Sequence, residues 1–348
     1  MKKIGKPKKL FSILLVCILL LMVGCGQKNS RQEDANKIQV AIVCRDGMQY
    51  DAKRFQKGME MAIQEYTGSY DITVSLHDEP INFEEALALD TRLAQDPNVT
   101  AVVTLQDYDE IDVAARIMNE NSKAYFAVEG YLDKTAEKEY ETFFPFSLNA
   151  AHLGHAMGVY VGEQKLKRLM VIHSGTPFER TQANYFERAL LGYGVYTLNS
   201  LSEPATSQEI LTTIEAMELL SIEAVYLPYY RSYWAMDILS EIKKQSDAQI
   251  LASFTLGSME TVEMLDAAEG TVLPAFYPLE RDERYTEWQK KYEALYNETP
   301  ENQAAQGYDI VNLIINNYDG DNAQMAKNIR KNASEATGLS GSMLHDYI

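Results

Sequence analysis

The residues best suited to chemistry lie in short polar stretches and are mostly aromatic or acidic. Tyr50, Tyr108, Tyr131, Phe178, Tyr229, Tyr230, Tyr233 and Tyr277 offer flat apolar area that loses little entropy when a ligand packs on it. Asp107, Asp109 and Glu129 stand among them, and carboxylates beside aromatic faces favour an ammonium group by charge and by cation–π attraction. Arg45, Arg180 and Arg231 are suited to gripping a carboxylate through paired N–H groups. The expected ligand-contacting set is Arg45, Tyr50, Gln106, Asp107, Tyr108, Glu129, Tyr131, Phe178, Arg180, Tyr229, Tyr230 and Tyr277. Such a set suits a zwitterion, or an amine-bearing or aromatic small molecule. The competing account of each residue is a tyrosine packed on a neighbouring helix or a charge left in water.

Covalent chemistry finds less support. The chain has no Gly-x-Ser-x-Gly elbow, no Gly-x-x-x-x-Gly-Lys phosphate loop and no Gly-x-Gly-x-x-Gly after its first strand. His173 and Ser174 are adjacent, and adjacent residues rarely meet as base and nucleophile. His152 and His155 have the spacing to share a metal on one helix face, but no third ligand is evident nearby. No enzyme activity, cofactor or metal is expected.

Alternating elements must carry those stretches. Ile38–Cys44 is a β-branched run followed by a helical pattern through Phe55, Met59, Ala62, Ile63 and Tyr66. Asp71–His77 alternates as a strand, and Asn82 with Glu85 opens a helix through Leu87, Leu89 and Leu93. Val99–Leu105 and Lys123–Val128 are strands flanking a helix that carries Ile111, Ala115 and Met118. A second series follows, with strands at Arg168–His173, Val195–Leu198, Ile222–Leu227, Gln249–Phe254 and Thr271–Phe276. Its helices are Ala150–Lys165, Phe178–Leu191, one opened by Ser207, and Ser232–Gln245; two more lie near Asp282–Asn297 and Glu301–Tyr318. Strand–helix alternation predicts α/β architecture, two parallel sheets each covered on both faces. Ligands of open parallel sheets bind beyond the carboxyl ends of the strands. There the sequence places Arg45–Tyr50, Asp78–Ile81, Gln106–Tyr108, Glu129–Tyr131, Ser174–Phe178, Pro228–Tyr230, Thr255–Gly257 and Tyr277–Arg281.

Length and charge agree with two such units. The chain has 348 residues, 46% of them apolar, and 32 basic against 50 acidic side chains, a net −18. That balance excludes a nucleic-acid binder, whose affinity rests on neutralising phosphates. Three cysteines, Cys17, Cys25 and Cys44, exclude a disulfide scaffold and a four-cysteine zinc site, and Cys44 behind Val40–Val43 is expected as a buried structural thiol. Residues 1–9 carry five lysines and no acid, and Leu10–Val23 is apolar apart from Ser12, too short for a comfortable membrane span and right for a secretory signal. Met22-Val23-Gly24-Cys25 resembles a bacterial lipobox. Residues 1–24 are therefore expected to be cleaved and Cys25 lipidated, with residues 25–37 as a flexible tether. The five lysines lost leave 27 basic against 50 acidic side chains, a mature charge of −23.

The whole resembles a type I periplasmic-binding protein of the leucine/isoleucine/valine-binding branch, over about Ile38 to Gly341. The resemblance rests on Gly58-Met59-Glu60-Met61-Ala62 in the first helix and His77-Asp78-Glu79-Pro80 after the second strand. Ala305-Gln306-Gly307-Tyr308-Asp309 and Gly338-Leu339-Ser340-Gly341 complete it, in the family's order. It implies two doubly wound lobes, 38–148 with 273–332 and 149–272 with 333–348, joined by three crossovers that hinge shut on a ligand. It further implies a monomeric, lipid-anchored protein on the extracytoplasmic face of a bacterial membrane, handing its solute to an ABC permease. A sensor subunit docking on a membrane receptor is the alternative. Amino-acid binders of this branch carry Ser/Thr-rich stretches where this chain reads Gln106-Asp107-Tyr108-Asp109 and Glu129-Gly130-Tyr131. Of the two tryptophans, Trp234 lies just after Tyr229-Tyr230 and is placed to report closure, whereas Trp288 is not.

Overall fold

Strand β1 (Lys37–Cys44) is buried without a break from Val40 to Cys44, as a central parallel strand must be when helices cover both faces. The computed structural model to which it belongs describes residues 36–106, 108–128, 130–136, 138–202, 207–228, 233–254, 269–275, 280–333 and 337–342. Helix α1 (Gln49–Glu65) follows, then β2 (Asp71–Asp78), α2 (Phe83–Gln95), β3 (Val99–Leu105), α3 (Tyr108–Glu120), β4 (Ala124–Ala127), the single turn α4 (Asp133–Ala136) and β5 (Phe143–Pro145). All pairings are parallel, in the order β2-β1-β3-β4-β5. The pleat sorts β1 by parity: Ile38, Val40, Ile42 and Cys44 pack with Phe55 and Met59 on one side, Ala41 and Val43 with Leu89, Leu93 and Met118 on the other. Asn82 caps α2 through Oδ1, which accepts from the amides of Glu84 (2.9 Å) and Glu85 (3.2 Å).

The second unit repeats the scheme with α5 (Ala150–Glu163), β6 (Leu169–His173), α6 (Pro177–Leu191), β7 (Thr197–Ser202), α7 (Ser207–Leu219), β8 (Ala224–Leu227), α8 (Tyr233–Gln245) and β9 (Gln249–Ala252). Its sheet runs β7-β6-β8-β9, again all parallel. The chain then adds α9 (Glu283–Tyr296), α10 (Asn302–Asn317), α11 (Asn322–Ala333) and a two-rung hairpin, β10 (Thr337–Gly338) with β11 (Gly341–Ser342).

Helices α9 to α11 return to the first sheet. Gly58 and Gly307 let α1 and α10 cross so closely that a Cβ on either would strike the other helix's backbone, at the Ala304 and Phe55 carbonyls. Around that crossing Arg54 pairs with Glu301 at 2.6 Å, Tyr296 donates to the Lys57 carbonyl at 3.0 Å, and Tyr308 donates to Glu65 at 2.5 Å. Arg330 on α11 donates to the carbonyls of Tyr140, Glu141 and Phe143.

Several expected boundaries shift. The fourth strand is Ala124–Ala127 and a fifth, three residues long, stands beside it; a run that short has no periodicity to detect. The strand expected at Val195–Leu198 begins at Thr197 and runs to Ser202. Thr271–Phe276 forms no strand among the described residues: Val272 makes one parallel bridge to Leu251, and Pro274, without an amide hydrogen, cannot extend the ladder. Helix α11 was not expected; its buried Met325, Ala326 and Ile329 are a narrow stripe in a polar segment.

Candidate functional site

The carboxyl ends of both sheets carry the relevant side chains, and the two edges meet at Gly130. A Cβ there would stand 2.6 Å from Cζ of Phe178, so the loop after β4 lies against the first turn of α6 with room for hydrogen only. Phe178 is fully buried with Leu132, Ala150 and Leu153, and Phe254 packs beside it. It closes the seam between the edges rather than presenting an open face.

On the first edge the centre is Gln106, which is also fully buried. Its Oε1 accepts from the hydroxyls of Thr104 and Tyr125, both at 2.8 Å. Its Nε2 donates to Glu79 at 2.7 Å and, more weakly, to Asp90 at 3.4 Å. The expected ligand contact is thus turned inward, because two hydroxyls and two carboxylates use all its capacity. Asp90, on α2 and 2% exposed, is pushed up to about 7 by burial, against the Gln106 hydrogen bond and reinforced by the nearby charges of Glu79 and Glu110. Burial first, then the same acids, also holds the Tyr125 phenol well above its ordinary value.

On the second edge Gly175 (φ +85°) turns the chain from β6 into α6. Thr176 caps the helix, while the buried Glu179 folds back to accept from the Ser174 amide (2.6 Å) and hydroxyl (2.5 Å), a variant of the capping box. Beneath lies another glutamine–tyrosine pair: Gln182 Oε1 accepts from Tyr226 at 3.1 Å, and its Nε2 donates to the Pro228 carbonyl at 3.3 Å.

The other expected contacts are scattered. Arg45 follows β1 at the first edge, half-buried. Tyr50 is 61% exposed, with the Arg54 guanidinium 3.7 Å above its ring. Tyr131 is in the core, edge-on to Phe143 at 5.4 Å; a bridge from its backbone to Asn149 at the head of α5 holds it there. Arg180 is exposed. Tyr108 begins α3 at the first edge. Asp107, Glu129, Tyr229, Tyr230, Tyr277 and Cys25 lie outside the described residues. Trp288 is buried against Tyr285, Tyr292 and Tyr308.

The His152–His155 pair gathers nothing further: His152 is half-buried with neither ring nitrogen hydrogen-bonded, and its pKa is lowered by burial and by His155. Among the described residues no three His, Cys, Asp or Glu side chains are close enough to hold a metal ion. Cys44 is buried and outside any disulfide, its thiol donating to the Arg45 carbonyl at 3.3 Å. Two open hollows, about 700 Å³ along the outer face of α2 and about 440 Å³ between α6 and β7, lie away from both edges.

Sequence reasoning missed the residues that tie the crossings together. Gln306 on α10 donates to the Phe146 carbonyl at 2.9 Å, just before the chain enters the second unit. Asp309 is buried, and its carboxylate accepts from the amides of Leu339 (2.9 Å) and Ser340 (2.7 Å) and the Ser340 hydroxyl (2.6 Å). Burial raises its pKa against those three donors. Both residues sit in the Ala305–Asp309 stretch, so the motif was visible although its partners were not.

Comparison with known proteins accords with this geometry. The family described as periplasmic binding protein matches residues 44–319. No curated protein sequence matches the chain significantly. Among solved structures, a Desulfitobacterium hafniense ABC transporter substrate-binding protein in complex with Leu is similar at TM-score 0.78 and 17% identity, covering 89% of this chain and 93% of that one. The branched-chain amino acid substrate-binding protein LivJ of Streptococcus pneumoniae, in complex with isoleucine, gives 0.75 and 19%, covering 89% and 91%. A Rhodopseudomonas palustris solute-binding protein in complex with 4-hydroxybenzoate gives 0.72 and 12%, covering 88% and 87%. Two doubly wound sheets with facing carboxyl edges, and a family match over most of the chain, lead to one conclusion: this chain belongs to the periplasmic binding protein family and has its type I two-lobed fold.

Proposed function

We propose that the chain is an extracytoplasmic solute-binding lipoprotein, anchored through Cys25, that captures a small polar molecule between its lobes and delivers it to an ABC permease. The observation that carries this reading is the meeting of the two carboxyl edges at Gly130 and Phe178, the place where open parallel sheets bind ligands. The leucine, isoleucine and 4-hydroxybenzoate held by similar structures support an amino-acid-like or aromatic solute. The division into lobes at 38–148 with 273–332 and at 149–272 is supported by the packing of α9 to α11 on the first sheet, although Asp309 docks the turn at 338–341 there as well. Among the described residues no helix is long and apolar enough to cross a membrane. Binding without turnover is the expected chemistry.

The decisive experiment is a thermal-shift screen of the chain beginning after Cys25, against amino acids, amines, aromatic acids, nucleosides and sugars, with the bound compound recovered for mass analysis. A solute at a hundred times its dissociation constant adds about 2.7 kcal/mol, a plain shift in Tm. Recovery unchanged is the expected result; recovery chemically altered would make the protein an enzyme. Incorporation of labelled palmitate into the full chain, lost in Cys25→Ala, tests the anchor.

A further inference from the structure

The second lobe carries an apolar surface that solute binding leaves unused. Four large side chains are exposed within the short stretch from the end of α6 into β7: Leu191 (55%), Tyr193 (44%), Tyr196 (68%) and Leu198 (49%). They lie at the outer margin of the lobe, because β7 pairs only with β6 among the described residues. They also lie at the pole remote from the ligand edge. Helix α6 starts at that edge and ends at Leu191, which at 1.5 Å per residue is about 20 Å along the helix from Phe178. No small solute held between the lobes reaches them.

Charge sets this surface apart from the rest of the molecule. Residues 189–202 contain no charged side chain, in a chain that is 24% charged and carries a net −18. Over most of its surface a second copy meets like charge; here it does not. The hollow of about 440 Å³ between α6 and β7 opens within the same stretch, lined by Leu191 and Tyr196 and by one charge of each sign, Glu187 and Arg188. Glu187 accepts from the Thr197 hydroxyl at 2.6 Å, and the exposed Arg188 stands 5.0 Å over the Tyr185 ring with no ion pair among the described residues. Neighbours on a helix do not face each other, so the two cannot neutralise one another within one chain. A two-fold axis at the hollow brings Glu187 of each copy toward Arg188 of the other. The strand edge is not the adhesive. The register shift between Leu169 and Met170 makes Leu198 an extra residue in β7, and a bulge of this kind turns an edge away from ladder pairing.

We propose that this surface pairs with a second copy of the chain across a two-fold axis at the hollow, packing Leu191, Tyr193, Tyr196 and Leu198 against their counterparts with the Glu187 and Arg188 pairs at the rim. Such an isologous contact closes on itself as a dimer. It joins second lobe to second lobe and leaves the carboxyl edges of both copies free. It departs from the monomer that the family resemblance implies, and it goes beyond the solute-binding reading without depending on it.

The test begins with cross-linking by a short bismaleimide in cells that make the full chain. Tyr196→Cys is expected to give a product of twice the chain's mass; the unsubstituted chain, whose Cys44 is buried, and Leu295→Cys, exposed on α9, should give none. Sedimentation equilibrium of the purified full chain in density-matched detergent should then show a dimer. Arg188→Glu should weaken it at least tenfold, and Glu187→Arg added to Arg188→Glu should restore it. Tyr196→Ser with Leu198→Ser, both exposed, should weaken it tenfold or more while leaving the melt unchanged. A monomer mass at every concentration, or links from Leu295→Cys as strong as those from Tyr196→Cys, would overturn the pairing. A dimer indifferent to Arg188→Glu and to the serine pair would overturn its placement at the hollow. A Tyr196→Cys link to a different protein would overturn self-pairing. Each of these failures leaves solute binding standing.

Discussion

The two lobes each bury a glutamine that accepts a hydrogen bond from a strand tyrosine below the cleft, and they use it differently. In the first lobe Gln106 Nε2 faces Glu79 and Asp90; in the second Gln182 Nε2 faces the neutral Pro228 carbonyl. Tyr226 is raised by burial alone, Tyr125 by burial and by three surrounding acids. The same amide–phenol pair therefore serves as a neutral strut in one lobe and as the centre of a titrating cluster in the other. Packing geometry is shared between the halves; charge is not.

That contrast can be broken by substitution. Gln106→Ala strips donors from the buried Asp90 and the half-buried Glu79 and the acceptor from two hydroxyls, and is expected to cost roughly 3–5 kcal/mol at pH 8 in urea unfolding, whereas Gln182→Ala should cost roughly 1–2 kcal/mol. Equal losses would erase the distinction. Asp90→Asn tests the charge itself. The folded-state pKa is about 7 against an ordinary value of 3.8, so as pH rises the unfolded chain gives up this proton first. Stability therefore falls between about pH 4 and pH 7 and stays lower above. The Asn variant should be more stable by roughly 2–4 kcal/mol at pH 8, with the gain shrinking toward pH 4. A gain that ignores pH would place Asp90 outside the cluster. Gly130→Val drives a side chain into Phe178 and is expected to abolish the ligand-induced melting shift while costing about 1–3 kcal/mol. Smallest, Tyr125→Phe and Tyr226→Phe should each cost about 1 kcal/mol, and only the first should alter the pH dependence.

Local signals in the chain were legible where neighbours in sequence decide the outcome. Asn82 with Glu85 marked a cap that forms, and Phe55, Met59 and Ala62 marked the face that α1 buries. Cys44 behind four apolar residues was readable as an inert buried thiol. The site was less legible because its loops are short and their side chains choose between cleft and core on grounds that lie elsewhere. Gln106 turns inward toward Tyr125, nineteen positions on, and Glu79, twenty-seven back. Tyr131 goes to the core because the chain bridges to Asn149. Phe178 is swung inward once Thr176 starts the helix and Gly130 leaves a space only hydrogen can share. The composition of these loops named candidate chemistry; distant partners decided which residues perform it.

The Gly58–Gly307 crossing has a bearing on how the chain is made. The first sheet is complete once residue 145 has emerged, yet the helix that seals α1 begins only at Asn302, and the Asp309 clamp waits for Ser340. The second lobe's sheet and flanking helices lie contiguously between 150 and 252 and can close while the first is still bare on one face. Chain order and folding order therefore differ: the half that leads out of the ribosome finishes last, with an apolar helix face uncovered for some hundreds of residues of synthesis. A nascent chain halted before α10 should be held by holdases through α1, and released only when the final seventh of the sequence arrives.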